Sequence, residues 1–548
     1  MNEFINTIPP LGIYSISSYV NQYGFSSEVI TVSSDLLIKK LNKVMKTSKI
    51  IGFSCYEDNY PIICNAIKYI KKRSDCTVLV GGPQTYSLGK AFLLDTGCDV
   101  IMRGDGEFNT KALIEYYVNN ENDLHDIQGI AFWDEDQYVD NGVAQPIMDL
   151  DNLPFTNIDY NKLKLNTAYI ITGRGCPFNC AFCFEGRNSG TVRFRSVKNV
   201  IEEIEIILNK YPDISMIQFL DDTFTLNTDR LYELCDFFVK IRKKRDIKWM
   251  CEAHVERLYN NLQMIDKMIE SGLVSMQIGI ESGSDKVLKA YNKRITVDMI
   301  VEVIKYCKNR GLENLQGNII VGGAYESEET INDDIEMLRQ LVKVGKGMIE
   351  LNIAYFWPFP NTEITNNPER YDIEIIQEEI NKAMLSMRTP VTRTKNMSIE
   401  KLIFFKKKMD MLLSVMCKEC CQEMGFDEIK KHWDNEKKTF VGFWGSFLNQ
   451  YDYMVNAMLA EGYAVDNLNQ YNLDEVFTIR TFLNLQYKKE KLCCENTIFN
   501  SIQQVIIENS NGKMSLGDIA SKYNIDQQLI LEECQILKEK CYIYFSLV

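Results

Sequence analysis

The sequence has few histidines, few basic residues relative to acidic ones, and no long apolar run. Of 548 residues only three are histidine, and 75 acidic side chains outnumber 61 basic ones, which gives a net charge of −14. This balance argues against a nucleic-acid substrate, because phosphate binding requires a basic face. No stretch of about eighteen apolar residues is present, and no charged-then-apolar leader follows Met1. We therefore predict neither a membrane span nor a signal peptide, and expect a cytoplasmic protein.

Cysteine, in contrast, is abundant, with 17 residues. In the cytoplasm thiols serve as metal ligands or as reduced buried side chains rather than as disulfides. The length predicts roughly three or four domains. We place a first α/β domain at 1–148, a polar linker at 149–166, a second α/β domain at 167–373 and a mostly helical region at 374–548 that ends in a winged-helix-like unit.

Three of the cysteines lie on one short loop after an apolar, strand-like run. Ala168–Thr172 is followed by Gly-Arg-Gly-Cys-Pro-Phe-Asn-Cys-Ala-Phe-Cys, which places Cys176, Cys180 and Cys183 at spacings of four and three. Three thiolates are one ligand short of the usual four-cysteine iron-sulfur site. A metal cluster held in this way keeps one iron open for a small molecule. The alternative is a set of buried or redox-active thiols.

The first 148 residues alternate apolar strands with helices, the pattern of a doubly wound parallel sheet. The predicted strands are Glu28–Val32, Ile50–Ser54, Cys76–Val80 and Cys98–Met102. Such sheets bind ligands at the carboxyl ends of their strands. Polar and glycine residues follow three of these ends and are candidate ligand contacts: Ser54, Tyr56, Gly81, Gly82, Pro83, Gln84, Gly104 and Glu107. They are equally compatible with ordinary strand-to-helix turns.

Five further strand-like runs follow the cysteine loop, each after a helix. Their carboxyl ends carry Asp221 and Asp222, Glu252 and His254, Glu281 and Ser282, and Gly322 and Gly323. Barrel enzymes place their active sites at this end of the strands. We expect Glu252 and His254 to contact a substrate or to handle protons, or else to be structural hydrogen-bonding groups.

The cysteine loop and the run Gly279–Ser284 resemble the radical SAM superfamily. The resemblance implies a partial (β/α)6 barrel, a [4Fe-4S] cluster on the three cysteines, and S-adenosylmethionine (SAM) on the open iron. It also implies cleavage of SAM to a 5′-deoxyadenosyl radical by an electron from an external donor such as flavodoxin or ferredoxin. It assigns SAM contacts to Phe182, Asp221, Asp222, Glu281, Ser282, Arg294, Gly322 and Gly323. In this assignment Glu281 orients Arg294, which pairs with the SAM carboxylate.

The first domain resembles the cobalamin-binding domain that precedes many radical SAM domains. The matching stretches are Pro9–Gly12, Gly81–Gln84 and Gly104–Glu107. The resemblance implies that the strand-end candidates of this domain bind cobalamin. Two features depart from the pattern. The usual first strand is short, and the chain has no Asp-x-His-x-x-Gly motif, so no protein histidine is expected to ligate the cobalt.

Together these resemblances predict a cobalamin-dependent radical SAM enzyme. The expected reaction is methyl transfer to an unactivated carbon of a peptide or small molecule in natural product biosynthesis. The alternatives are a radical cyclisation, ring contraction or rearrangement without methyl transfer, and a cobalamin- or redox-sensing regulator whose output is the C-terminal unit. No membrane or nucleic-acid partner is expected.

Overall fold

The computed structural model describes residues 8–32, 34–57, 59–377, 389–422, 472–480, 485–488, 491–494, 497–539 and 542–547. These residues belong to two compact units. The first comprises Met1–Val344 and Leu351–Asp410, and the second comprises Gly345–Glu350 and Met411–Val548. No helix within the described ranges is long and apolar enough to cross a membrane.

Nineteen α-helices are described. They are α1 Leu11–Gln22, α2 Ser34–Val44, α3 Tyr60–Lys71, α4 Gln84–Thr96, α5 Glu107–Ile114, α6 Tyr160–Leu163, α7 Glu185–Asn188, α8 Val197–Lys210, α9 Thr228–Arg242, α10 Val255–Tyr259, α11 Gln263–Glu270, α12 Asp285–Ala290, α13 Val297–Asn309, α14 Glu328–Val344, α15 Glu363–Asn366, α16 Ile399–Gln422, α17 Ser501–Asn509, α18 Leu516–Tyr523 and α19 Gln527–Glu539.

The described strands are β1 Ile50–Ser54, β2 Thr77–Gly81, β3 Val100–Met102, β4 Ile130–Asp134, β5 Gln137–Asp140, β6 Thr167–Ile170, β7 Gly173–Arg174, β8 Arg193–Phe194, β9 Met216–Phe219, β10 Lys248–Ala253, β11 Leu273–Glu281, β12 Asn314–Val321, β13 Ile349–Tyr355, β14 Glu374–Ile375, β15 Thr392–Arg393, β16 Val476–Arg480, β17 Leu485–Lys488, β18 Lys491–Cys494, β19 Thr497–Ile498, β20 Asn511–Ser515 and β21 Ile543–Leu547.

The first sheet has five strands in the order β1-β2-β3-β4-β5. Strands β1 to β3 are parallel, as predicted. Helices cover both faces of this sheet. On one face Ile67 of α3 and Phe92 of α4 pack with Val78 and Val80, and on the other Leu113 of α5 packs with Leu79. The apolar run of β2 is buried because it is covered from both sides, which is typical of parallel strands.

Two details of the first sheet differ from the sequence prediction. Glu28–Val32 was predicted as a strand, but these residues adopt no regular secondary structure. Its apolar pattern suits a strand, yet none of the described strands pairs with it. The sheet is instead completed by β4 and β5, an unpredicted antiparallel hairpin.

The second sheet has six strands in the order β13-β12-β11-β10-β9-β6, the number predicted for the partial barrel. Strands β6 and β9 to β12 run parallel. Helices α8, α9, α11, α13 and α14 connect them in the expected alternation. The carboxyl ends of the strands therefore lie along one edge, where the candidate residues follow β9, β10, β11 and β12.

The second unit contains a small α/β fold near the carboxyl end of the chain. Strands β20, β16 and β21 form an antiparallel sheet. Its core includes Ile506 of α17, Ile519 of α18, Ile530 of α19 and Phe545 of β21. The helices α18 and α19, followed by β21, have the helix-turn-helix and wing order that the sequence predicts.

Candidate active site

The cysteine loop starts after β6 and is held in place by contacts with the end of α12, with α15 and within the loop itself. The backbone N–H of Ala181 donates to the Tyr291 carbonyl at 2.8 Å, and that of Ile364 donates to the Ala181 carbonyl at 3.0 Å. Gly186 packs so closely that a Cβ there would lie 1.9 Å from the Phe178 carbonyl oxygen. These contacts fix the path of the loop around its three cysteines.

Cys176, Cys180 and Cys183 are each partly exposed, and their thiols lie within electrostatic range of one another. Burial raises the pKa of Cys180 to about 11, while the positive charge of Lys293 acts in the opposite direction. Within the described ranges no group of three His, Cys, Asp or Glu side chains is close enough together to coordinate a single metal ion. The thiols are therefore neighbours on one loop rather than a closed ligand set.

This donor set fits a [4Fe-4S] cluster. Three soft sulfur ligands suit iron-sulfur chemistry and leave one iron without a protein ligand. Cluster binding requires the thiolate form, which the nearby ammonium of Lys293 favours.

Lys293 is the main group near the cluster loop that the sequence analysis missed. Its Nζ lies 2.8 Å from Glu281 Oε1, and both side chains are buried. Burial lowers the pKa of Lys293, but the attraction of Glu281 and Cys180 outweighs it and leaves the pKa raised. The ammonium also lies 5.8 Å from the centre of the Phe182 ring. Lys293 is thus a cation held beside the cysteine loop.

The predicted partnership of Glu281 with Arg294 is not found. Glu281 pairs with Lys293 instead, whereas Arg294 is exposed. Arg294 has a left-handed backbone (φ 57°), and its charge acts on His254 rather than on Glu281. The only signal in the sequence was the neighbouring position of two cations, which does not tell which of them faces inward.

Asp221 and Asp222 follow β9 but have different surroundings. Asp221 is buried and accepts hydrogen bonds from the backbone N–H and hydroxyl of Thr172, at the base of the cysteine loop. Burial raises its pKa to about 6. Asp221 therefore positions the loop, and its predicted contact with SAM stays a prediction. Asp222 lies instead with two other carboxylates.

These carboxylates are Glu185, which follows the last cysteine by two residues, and Glu252 of β10. Burial and the charge of Asp222 raise the pKa of Glu185 to about 7 and that of Glu252 to about 7. Burial also raises the pKa of Asp222. An acidic group of this kind accepts hydrogen bonds from a cationic ligand, and binding such a ligand would relieve the repulsion.

His254 follows β10 and stacks on the Phe178 ring of the cysteine loop, with centroids 3.7 Å apart. Its Nδ1 accepts a hydrogen bond from the Glu256 backbone N–H at 3.3 Å. Nε2 is buried and has no hydrogen-bond partner within the described residues. Burial and the charges of Lys293 and Arg294 lower the pKa of His254 to about 3. The imidazole is therefore neutral, with its proton on Nε2, beside the cysteine loop.

Three other predicted SAM contacts are engaged in packing. Ser282 donates to Asp334 at 2.9 Å. A Cβ on Gly322 would lie 3.2 Å from Leu402, and one on Gly323 would lie 1.7 Å from the Tyr291 hydroxyl. Gly323 is thus required by the Tyr291 side chain and Gly322 by its left-handed backbone (φ +87°), and their predicted contact with SAM stays a prediction.

A cavity of about 1420 Å³ lies where the first sheet meets the cysteine loop. Its lining includes the strand-end residues Ser54, Tyr56, Gly81, Gly82, Pro83, Gly104 and Glu107, and on the other side Gly173–Gly175, Phe184, Glu185 and Asp222. Gln84 does not line it and is buried at the start of α4. The volume exceeds the range of most small-ligand pockets and suits a large cofactor.

Two glycines of this lining are also required by the fold. Gly82 has φ +102°, and a Cβ there would lie 2.5 Å from the Cys55 carbonyl oxygen. Gly104 has φ +95°, and its Cβ would lie 2.9 Å from that of Ala144. The sequence offered two interpretations for these glycines, an ordinary strand-to-helix turn and a ligand contact. Because the turn requires glycine and a glycine also lets a ligand approach the backbone, both interpretations can hold at the same position.

Charged residues join the first sheet to the cysteine loop. Arg174 pairs with Asp105 at 3.0 Å and with Glu107 at 2.5 Å, and Arg193 also pairs with Asp105. Glu107 is buried and accepts a further hydrogen bond from Ser15 at 2.6 Å. Burial opposes ionisation of Asp105, but Arg174 and the Ile147 backbone N–H lower its pKa overall. Glu107, predicted to bind a cofactor, is thus also an anchor of the cysteine loop.

Comparison with known proteins agrees with this architecture. Residues 170–338 match the radical SAM superfamily. The chain is 29% identical over 374 residues, 65% of this chain and 78% of the other, to a Pyrococcus horikoshii protein named uncharacterized methyltransferase PH0819. It is 23% identical over 393 residues, 68% and 69% of the two chains, to the anaerobic magnesium-protoporphyrin IX monomethyl ester cyclase of Rubrivivax gelatinosus.

Among solved structures, the fold matches OxsB, a cobalamin-dependent SAM radical enzyme solved with aqua-cobalamin and SAM bound. The TM-score is 0.65 at 16% identity, and the match covers 98% of this chain and 80% of OxsB. Residues 170–338 therefore form a radical SAM domain, and the fold of the chain is that of OxsB, a cobalamin-dependent radical SAM enzyme.

Proposed function

We propose that the protein is a cobalamin-dependent radical SAM enzyme that transfers a methyl group to an unactivated carbon. The observation that carries this proposal is the cavity of about 1420 Å³ that is lined both by the strand ends of the first sheet and by the cysteine loop. Such a cavity gives a corrin and a SAM-bound cluster a common space. The methyltransferase name of the Pyrococcus horikoshii relative supports the same reaction.

When bound, the cluster and SAM supply the 5′-deoxyadenosyl radical, and cobalamin supplies the methyl group. The protein's part is to bind and orient them. Cys176, Cys180 and Cys183 ligate the cluster. Lys293, held by Glu281 at 2.8 Å, binds the carboxylate of SAM, a role first assigned to Arg294. Asp222 and Glu185 accept hydrogen bonds from the SAM ammonium.

The cyclase relative supports a second candidate function. The cysteine loop and the groups around it would serve a radical cyclisation equally well, because both reactions begin when a hydrogen atom is removed from a carbon. The two functions differ in whether the product gains a methyl group that originates from SAM. We further propose a cytoplasmic enzyme that receives electrons from a flavodoxin or ferredoxin and acts on a peptide or small molecule.

The first experiment is anaerobic purification from cells supplied with cobalamin, with iron, sulfide and corrin measured on one sample. About four irons per chain are expected for the cluster, with one corrin. Incubation with reductant and SAM carrying a deuterated methyl group, in an extract of cells that lack the gene, should then yield a product three mass units heavier than in unlabelled SAM. Iron and 5′-deoxyadenosine without any labelled product would favour the cyclisation instead. Absence of both iron and corrin would contradict the proposal.

A further inference from the structure

The inner face of the six-stranded sheet is polar. Along β11, Val274, Met276, Ile278 and Ile280 are fully buried, while Gln277 and Gly279 are partly exposed. The same alternation occurs in β12, where Leu315 and Ile319 are buried and Gln316 and Asn318 are partly exposed. Successive side chains of a strand point to opposite faces. The apolar set therefore faces the helices, and the polar set faces the inside of the barrel.

The register of the strands aligns these polar residues into a row. Glu252 of β10 is paired with Gln277, and Gln277 is paired with Gln316. Neighbouring strands are about 4.8 Å apart, so the three side chains lie side by side. Gln218, on β9, lies in register with Met250 and is likewise partly exposed. Barrel interiors are ordinarily filled by branched apolar side chains, so this row departs from a packing role.

The amides of the row have no partners in the protein. Within the described residues the side chains of Gln218, Gln277 and Gln316 make no hydrogen bond. The polar residues above and below them do: Asn352 donates to Asn318 at 3.2 Å, and Ser275 donates to Asn314 at 2.8 Å. Half-buried amides without partners are left free to bind a ligand, because each carries two N–H donors and one carbonyl acceptor.

We propose that the row Glu252, Gln277 and Gln316, with Gln218 beside it, binds an uncharged amide group of the substrate. Two adjacent primary amides offer both donors and acceptors, so they can bind the N–H and the C=O of one amide together. A carboxylate or ammonium would be satisfied by only half of these groups. An apolar substrate would leave all of them desolvated and unpaired, at a cost in affinity. This inference rests on the proposed radical SAM function and specifies its substrate class.

The test uses the reconstituted, reduced full-length protein with SAM and three carbon-deuterated probes, offered separately. They are N-acetylalanine methylamide, glucose and toluene. When the 5′-deoxyadenosyl radical takes a deuterium atom, a C–D bond of the probe breaks and a C–D bond forms at the 5′ carbon. The unpaired electron stays on the probe, whose radical then takes one electron from the dithionite that reduces the cluster and one proton from water. Mass spectrometry gives the deuterated fraction of the 5′-deoxyadenosine formed.

We expect deuterium from the amide probe in excess over the other two. Gln277→Leu and Gln316→Leu should each lower the deuterated fraction about five- to tenfold, the effect of one lost hydrogen bond. Gln263→Leu, an exposed glutamine on α11, is the matched control and should leave it unchanged. The fraction does not depend on total turnover, and the iron content and melting temperature of each variant identify any failure to fold.

Three results would overturn the inference. They are deuterium transfer mainly from toluene, transfer mainly from glucose, and transfer from none of the probes while unlabelled 5′-deoxyadenosine accumulates. Absence of all 5′-deoxyadenosine from the wild-type protein would instead contradict the proposed radical function. The two hypotheses therefore fail in distinguishable ways.

Discussion

The junction between the first sheet and the cysteine loop differs from the inner face of the barrel in how its polar groups are satisfied. At the junction Asp105, Glu107 and Arg174 all have charged partners within hydrogen-bond distance. On the inner face Gln277 and Gln316 have none within the described residues. Polar groups that are fully paired are satisfied by the protein itself, whereas half-buried groups without a protein partner are available to a ligand. Motif position assigned Glu107 to cofactor binding and did not single out Gln277 or Gln316.

The largest predicted effect concerns the three cysteines of the cysteine loop. Cys180→Ala removes one of three predicted cluster ligands, so we expect loss of the iron and sulfide and of all SAM cleavage. The control is Cys307→Ala, because Cys307 is a buried thiol in the core of α13. It should keep its iron. Iron and sulfide analysis after anaerobic reconstitution provides the measurement. Full SAM cleavage activity in Cys180→Ala would contradict the assignment of the cysteines as cluster ligands.

The second prediction concerns the junction. Arg174→Met leaves Asp105 with fewer partners and Glu107 buried without a countercharge. Removing one partner of a buried ion pair costs about 3–5 kcal/mol. We therefore expect the midpoint of the first unfolding transition in urea to move to a lower urea concentration.

The matched control for the junction is Arg187→Met, which removes an exposed pair with Glu363. Exposed pairs contribute at most about 1 kcal/mol. Equal shifts in the two variants would mean that the junction does not anchor the cysteine loop.

Much of the fold could be predicted from the sequence, because its signals are local. The apolar runs of β1, β2 and β3 and the helices between them predicted a parallel sheet, and the spacing of three cysteines predicted the ligand loop. Glu28–Val32 shows the limit of such signals. Its pattern suits a strand, but a strand also requires a neighbour to pair with. The β4–β5 hairpin was missed because its turn, Glu135-Asp136, lacks the Asn-Gly or Asp-Gly signal.

The candidate site was less predictable, because its details depend on contacts between distant segments. Lys293 and Arg294 are adjacent in sequence, and only the folded chain shows which one reaches Glu281. The roles of Glu107 and Asp221 likewise depend on Arg174 and Thr172, which belong to other segments. The amide row follows from strand register, which a single sequence does not give.

The third prediction sharpens the assignment of the buried cation. Lys293→Met combined with Glu281→Gln removes both charges of the pair, so that neither remains buried alone. A charge-assisted hydrogen bond to the SAM carboxylate contributes about 1.5–3 kcal/mol, so the Kd for SAM should rise about 10- to 100-fold. Arg294→Met should change it less than about threefold, since a surface charge contributes little.

Anaerobic equilibrium dialysis of the reconstituted proteins measures this binding, and equal iron contents exclude loss of the cluster as the cause. A larger effect of Arg294→Met than of the double variant would restore the original assignment of Arg294.

The smallest predicted effect is a pH dependence that separates Glu252 from the paired acids of the junction. Burial and the charge of Asp222 raise the pKa of Glu252 to about 7, from 4.5 when unfolded. Between these values the folded protein binds more protons than the unfolded one, so its stability falls as pH rises from 4.5 to about 7.

Glu252→Gln removes this loss, so in the cluster-free protein the melting temperature of the variant relative to wild type should rise by about 3 °C over that interval. Glu185 and Asp222 face the same site and lose stability in the same direction, and the difference between variant and wild type removes their contribution. Asp105→Asn, at an acid whose pKa is lowered, should show no such rise. If the melting temperatures of both variants relative to wild type changed with pH in the same way, Glu252 would be stabilised by its neighbours as well as the junction acids are. The distinction between the two regions would then not hold for this residue.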